Sequence, residues 1–348
     1  MEHPVRAFAL ASFAPVILIA LGALLGGAWG WIALSYMTGF VFLMDQMVAR
    51  IDPPVDPLRA LPEADGLSAA LACAHFILLG LVVCALALGD LGFWPGAALF
   101  VAAALFFGQV SNSNAHELIH RTSKPLFNLG KWVYISLLFG HHTSAHTKVH
   151  HRFAASPLDP NSARLGESFY AFWPRAWWGS FSQGYKMERA DLARRGQGGI
   201  TPYPLYIGGA LGFLALSFAL AGWGGVLAHI GLALYAQTQL LLSDYVQHYG
   251  LKRAEVSDGK YEPIGAAHSW NARHWWSSHM MLNAPRHSDH HAHPARPYPQ
   301  LSLPPRDHAP RLPSSLPAMA TLALFPRLWR RVMDKAVARW MAGQESET

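Results

Sequence analysis

Histidine is the residue type on which any chemistry in this chain would rest. There are 19 in 348 residues, with seven between His116 and His151 and seven between His268 and His293. In His116-Glu-Leu-Ile-His120 a separation of four puts both imidazoles on one helix face, one turn apart and within reach of one metal ion. His146-Thr-Lys-Val-His150-His151 repeats that pair and adds an adjacent histidine, and His287-Ser-Asp-His290-His291 offers separations of three and four. His248, in Asp244-Tyr-Val-Gln-His-Tyr-Gly250, is the ninth. Zinc normally takes four ligands, so nine imidazoles point to two metal ions. Imidazole suits Zn, Cu, Fe and Ni. The HExxH string is also the zinc-protease pattern, with Glu117 as the base. That reading needs one further ligand and leaves the remaining clusters without a purpose. An all-histidine site for redox iron fits best.

The elements that must position these residues are apolar. Only 14% of the chain is charged, where a soluble domain carries about 25%. Residues 7–44, 66–89, 91–115 and 196–243 contain no Asp, Glu, Lys or Arg. A bilayer core takes about 20 apolar residues per helix, so the middle two runs are one span each. The outer two are two spans each, broken at Gly26-Gly27-Ala28-Trp29-Gly30 and Ala221-Gly222-Trp223-Gly224-Gly225. The expected fold is therefore an all-α integral membrane protein and a single domain over 1–348. Its six transmembrane helices fall near 8–27, 29–49, 68–89, 92–114, 203–221 and 225–245. The first run is too long, and too soon followed by a second span, for a signal peptide. Of 27 basic residues, 24 lie between the fourth and fifth spans or after the sixth. The positive-inside rule makes that side cytoplasmic, with a histidine-rich cap formed by 114–203 and 246–348. Topology accounts for the positive charge, so anionic membrane lipid is the expected partner and nucleic acid is not. Cys73 and Cys84, inside the third span, read as small apolar residues. Pro294 to Pro317 reads as an extended segment leading to a terminal helix near 318–341.

The clusters and their flanks resemble the membrane alkane 1-monooxygenase family, part of the membrane di-iron group that includes fatty acid desaturases and xylene-type hydroxylases. The matching strings are His116–His120, and His146–His151 followed by Ser156-Pro-Leu-Asp-Pro-Asn-Ser-Ala-Arg-Leu-Gly-Glu-Ser168. His248-Tyr-Gly-Leu251 and Arg286-His-Ser-Asp-His-His-Ala292 complete the set. The resemblance runs from about residue 30 to 300. It implies metal ligands at His116, His120, His146, His150, His151, His248, His287, His290 and His291. It further implies two non-haem iron ions, O₂ as co-substrate, and insertion of one oxygen atom into a hydrocarbon C–H bond while the other is reduced to water. Three positions depart from the family pattern: Ala145 stands where Glu is usual, Arg121 where Lys is usual, and Gln247 where Glu is frequent. None removes a ligand. They leave an aryl-methyl hydroxylase or a fatty acyl desaturase as alternatives to hydroxylation of the terminal methyl of an n-alkane.

A ligating histidine usually donates its outer N–H to a carboxylate or carbonyl. Glu117, Asp159, Glu167, Asp244, Glu262 and Asp289 are the candidates. His141, His142, His268, His274 and His279 read as neighbours or surface residues, and His75 and His229 as helix-to-helix contacts or intramembrane functional groups. Trp29, Trp31, Phe40 and Phe42 are candidates to line a substrate entry from the bilayer. The sequence has no GxGxxG after a strand and no cysteine cluster for iron. Electrons are thus expected from a separate rubredoxin or ferredoxin with its reductase, which the basic face suits. A histidine-based metal transporter is the rival from another class, but transporters place ligands near the bilayer midplane, and these clusters lie beyond the apolar runs. The expected location is the inner membrane, with the metal site on the cytoplasmic side.

Overall fold

The charge-free runs fold as long helices, because a backbone in an apolar setting must satisfy its N–H and C=O groups internally. The computed structural model describes residues 4–196 and 198–345. Helix α1 (Arg6–Leu25) ends at Gly26 and Gly27, whose φ values of +63° and +56° reverse the chain within two residues. The chain returns as one rod of three pieces: α2 (Ala28–Ser35), a π-helical turn at Tyr36–Phe40, and α3 (Val41–Met47). Helix α4 (Pro62–Leu88) follows, then α5 (Phe93–Phe106), a second π turn at Phe107–Ser111, and α6 (Asn112–Leu118). The 46-residue α11 (Tyr203–His248) is broken where Ala221 and Gly222 leave helical backbone angles, the break expected from its Gly/Trp run. Among the described residues four helices are long and apolar enough to cross a membrane: 6–25, 62–88, 93–118 and 203–248.

Between and after these lie α7 (Lys124–Ser136), α8 (His142–Ala145), a third π turn at His146–His150, and α9 (His151–Phe153). The long α10 (Phe169–Arg194) precedes α11, and the short α12 (Trp275–Met280) and α13 (His287–Ala292) follow it. A hairpin of Glu255–Ser257 against Lys260–Tyr261 is the only sheet among the described residues. The terminal helix expected over 318–341 is two helices, α14 (Leu316–Ala323) and α15 (Pro326–Glu345). Pro326 lacks an N–H to continue the first and has the φ that starts the second.

Helix α4 packs against α1 and α11, α2 against α1 and α5, and α6 against α7. A Cβ on Gly130 of α7 would sit 2.7 Å from Leu118 Cβ and 2.8 Å from Ala115 O, so the absence of a side chain lets α7 close on the helix that carries His116. Ser136, at the end of α7, ties three helices. Its Oγ is 2.8 Å from His75 Nε2 of α4, and its carbonyl oxygen is 2.7 Å from His229 Nε2 of α11. His229 Nδ1 also meets Ser217 Oγ at 2.7 Å, across the break in α11. Both histidines thereby have structural partners. Cys73 and Cys84 are free thiols on α4.

Candidate metal centre

The nine histidines come together in two groups. His116, His120, His146, His151 and His290 form one; His150, His248, His287 and His291 form the other, and within each the donor atoms lie within 4.8 Å of one another. The inner atoms are Nε2 wherever contacts identify them. In the first group His151 Nε2 is 2.9 Å from His146 Nε2 and 3.1 Å from His290 Nε2, and in the second His287 Nε2 is 3.1 Å from both His248 Nε2 and His291 Nε2. The Nε2 atoms of His116, His120 and His150 are buried with no partner. Buried polar atoms without partners are costly, so three orphans directed at the same two points are what a pair of cation sites would leave. The groups abut, with the His151 and His291 rings 4.6 Å apart.

The division corrects one expectation from spacing. His146 and His150 are four apart yet belong to different groups, and His146 shares its group with His151, five away. The cause is the π turn at His146–His150, whose wider winding aligns residues five apart and rotates His150 to the second group. His116 and His120 do share a group, although His120 lies just past the end of α6 with its N–H on Glu117 O, as do His287 and His291, while His290 points to the other.

Each stretch is pinned from outside. The π turn is held to α10 by Lys148 Nζ, 2.7 Å from both Glu188 Oε2 and Asp191 Oδ2, and by Ser144 Oγ donating to Glu188 Oε1 at 2.6 Å. His150 Nδ1 lies 2.9 Å from Asp159 Oδ2, an oxygen that also accepts from Ser162 Oγ at 2.7 Å. Arg175 of α10 donates to the carbonyls of Pro160 and Ser162, which fixes the loop that delivers Asp159. His248 Nδ1 is 3.2 Å from the His268 carbonyl. Leu282 and Asn283 hold φ values of +49° and +56°, a strained turn just before α13. Asn283 Nδ2 donates to Tyr298 O, and Arg286 donates to Leu301 O and Asp52 O. Ser288 N and Oγ both bond Asn271, so α13, six residues long, is fixed at its first turn.

Of the six candidate carboxylates, only Asp159 meets one of the nine directly. Asp244 reaches only Asp159, through Asn161, which donates Nδ2 to Asp244 at 2.6 Å and its backbone N–H to Asp159, and Glu262 pairs with His268 at 3.3 Å. Glu117 pairs with Arg121, Glu167 with Arg175, and Asp289 with Arg296. His141, His142, His268, His274 and His279 fall in neither group. His142 stacks 5.1 Å from His146, and His279 reaches Asp52.

The electrostatics suit neutral donors. Burial first, and neighbouring imidazoles second, hold His146, His151, His287, His290 and His291 well below the ordinary histidine pKa, so all five are neutral at pH 7. His150 is the exception: burial pushes it down, but the Asp159 carboxylate outweighs burial and raises it. Neither group contains a carboxylate.

Residues 91–323 match the fatty acid desaturase family. The chain is 32% identical to alkane 1-monooxygenase 2 of Pseudomonas aeruginosa, over 94% of this chain and 89% of that protein. The chain belongs to the alkane 1-monooxygenase family. It is also 35% identical to alkane 1-monooxygenase 1 of the same organism over 68% of this chain, and 36% identical to alkane 1-monooxygenase of Pseudomonas putida over 71%. Those two matches span 63% and 62% of the relatives' own lengths. Family membership makes the chain a monooxygenase of the oxidoreductase class, and a His-rich site of this kind is compatible with a di-iron centre.

A hydrocarbon substrate needs an apolar approach to the histidine groups. A cavity of about 590 Å³ lies between the π turn at Tyr36–Phe40, α5, α11 and α14, with Phe42, Val101, Leu105, Tyr235 and Leu242 in its walls. Phe42 was expected there; Trp29, Trp31 and Phe40 do not line it, and Phe40 instead stacks on Tyr36, 5.1 Å away. A smaller pocket of about 30 Å³ shares Gln109, Gln239, Pro317 and Ala320 with it and is lined also by Asn112, Ser113, Ser243 and Ala284. The last four lie within five positions of His116, His248 and His287. The polar residues of this passage, Gln109 and Gln239 among them, carried no signal in the sequence, because a lone amide in an apolar run has no spacing to mark it.

Proposed function

We propose that the chain hydroxylates the terminal methyl of an n-alkane, using O₂ at a pair of iron ions held by the nine histidines. The observation that carries this is the convergence of two all-imidazole groups, with an apolar cavity whose smaller neighbour is lined by residues within five positions of His116, His248 and His287. His116, His120, His146, His151 and His290 would hold one iron, and His150, His248, His287 and His291 the other. Four or five imidazoles each, with no thiolate, suit iron better than a closed zinc site. Irons held by these residues would supply the redox chemistry for O₂ activation, in which one oxygen atom enters the C–H bond and the other is reduced to water with the donor's two electrons.

The protein's own contribution is geometry and dryness. Asp159 accepts the outer N–H of His150 and the His268 carbonyl that of His248, so both rings present Nε2 inward. The cavity holds the chain and keeps water from the reacting end. Two electrons per turnover come from a rubredoxin or ferredoxin with its reductase, docking on the basic face. Six spans support the site: the four long apolar helices, with α11 counted as two about Ala221 and Gly222, and the Ala28–Met47 rod. The regions 114–203 and 246–348 form the cap on the cytoplasmic side of the inner membrane, where anionic lipid meets the basic surplus.

The test is isotopic. With membranes, a donor system and labelled O₂, one labelled oxygen should appear in a terminal alcohol. An unlabelled alkene, with all label in water, would instead identify a desaturase on the same metal site. A benzylic alcohol from p-xylene with no product from n-octane would identify an aryl-methyl hydroxylase.

A further inference from the structure

Gln109 and Gln239 both border the larger cavity and the smaller pocket. They approach from opposite helices, Gln109 Nε2 donating to Gln239 Oε1 at 3.4 Å. Gln109 sits in the π turn at Phe107–Ser111, seven residues before His116, and Gln239 nine before His248. At 1.5 Å per residue the pair stands about 10 to 13 Å from those histidines along the helices. The close approach is built in: a Cβ on Gly108 would lie 2.5 Å from Gln239 Cβ, so glycine there lets Gln239 press against the α5 rod. Of the two spaces the pair borders, one is about 590 Å³ and the other, lined also by Asn112, Ser113, Ser243 and Ala284 near the histidine-bearing segments, about 30 Å³, room for one or two waters. Gln109 Oε1 is buried without a partner, which is costly in an apolar wall and marks the pair as kept for a purpose other than packing.

We propose that Gln109 and Gln239 form a collar that sets substrate shape, admitting one unbranched saturated chain to the metal centre and excluding branched chains and aryl rings. This rests on the hydroxylase reading above and specifies its substrate class. The collar acts by width: the cross-pair hydrogen bond fixes the two side chains across the passage, and a methylene chain lies past them where a ring cannot. A hydrocarbon thus reaches the histidines end-on, with its terminal methyl leading and its tail in the larger cavity. Gln109 and Gln239 are specificity-determining residues and touch no reacting atom.

The test is competition between n-octane and p-xylene in the full-length, iron-loaded enzyme. The wild type should turn over octane in strong preference. Replacing both residues, Gln109→Ala with Gln239→Ala, should raise the p-xylene to octane product ratio at least about tenfold, the low end of what one pocket-wall methylene discriminates. The change should appear chiefly in KM for p-xylene, with iron content unchanged. Gln239→Leu keeps the bulk but loses the hydrogen bond that fixes it across the passage, and should raise the p-xylene to octane ratio by less than the double variant does. The zinc-substituted protein, which does not turn over, gives an independent readout. Octane should raise its melting temperature in wild type, and p-xylene only in the double variant. An unchanged ratio in an iron-replete double variant overturns the collar, as does an unchanged ratio in Gln239→Leu or equal turnover of both substrates by wild type. Failure of wild type to hydroxylate either substrate overturns the underlying hydroxylase reading, and the collar with it.

Discussion

Replacing Asp159 with alanine is expected to weaken the four-histidine group while leaving the five-histidine group close to normal. Asp159 is buried, its Oδ2 lies 2.9 Å from His150 Nδ1, and the same carboxylate accepts from Ser162 Oγ and Asn161 N. Burial pushes this carboxyl up, but His150, Ser162 and the Asn161 N–H outweigh it and hold the pKa below the usual range, so the group is ionised at neutral pH. Alanine removes the charge that orients His150 and leaves its outer N–H unsatisfied. Loss of such an outer partner typically costs 10- to 100-fold in metal affinity, or about 1.4 to 2.7 kcal/mol. Asparagine still offers an oxygen to the N–H and should recover most of the loss, within about tenfold of wild type. The assay is iron content by elemental analysis, followed by release to a graded series of chelators. Asp159→Ala should release one iron of two at lower chelator concentration, and Asp159→Asn should fall between it and wild type. Two equally retained irons in Asp159→Ala, alongside loss of one in His150→Ala, would refute the orienting role.

Three further outcomes follow from other parts of the structure. Metal-free protein should lose stability in acid. The five buried histidines have folded pKa values depressed below the unfolded value of about 6.5. Below that pH the unfolded state binds protons the folded state refuses, so the melting temperature should be flat from pH 8 to 7 and fall below about 6.5; constancy down to pH 5 would contradict the burial argument. Ser136→Ala should destabilise by roughly 0.6 to 1.7 kcal/mol, the range for hydrogen bonds within membranes, with iron content unchanged, as read by detergent unfolding. Loss of iron in that variant would show that Ser136 serves the metal site and not only His75. A reporter inserted near Arg195 should report the cytoplasm and one near Asp90 the opposite side, and the reverse result would overturn the orientation drawn from the basic residues.

Much of this architecture could be read from residue order. The charge-free runs locate the long helices to within a few residues, and the Gly/Trp interruption in 196–243 is where α11 breaks. The nine histidines picked out by spacing and family likeness are the nine that the fold gathers. Their division was not legible: an i, i+4 rule presumes α-helical winding, and one π turn moves His150 to the other group. Nor could the choice among six carboxylates be made from order alone. It depends on Arg175 holding the 160–162 loop against α10, a contact between segments with no shared period. Ser136 escaped for the same reason, since its partners His75 and His229 lie 61 and 93 residues away.

The π turn at His146–His150 makes the two histidine groups mechanically inseparable. His146 and His151 belong to one group and His150 to the other, so a single backbone turn carries donors to both. No hinge or domain boundary intervenes, and Lys148, in the middle of that turn, is clamped to two carboxylates of α10. The span from His146 and His151 to His150 is therefore set by the pitch of five residues, whatever the helices that carry His116, His120 and His248 do. Breathing of the bundle would move those outer donors about a shared seam that itself keeps its spacing.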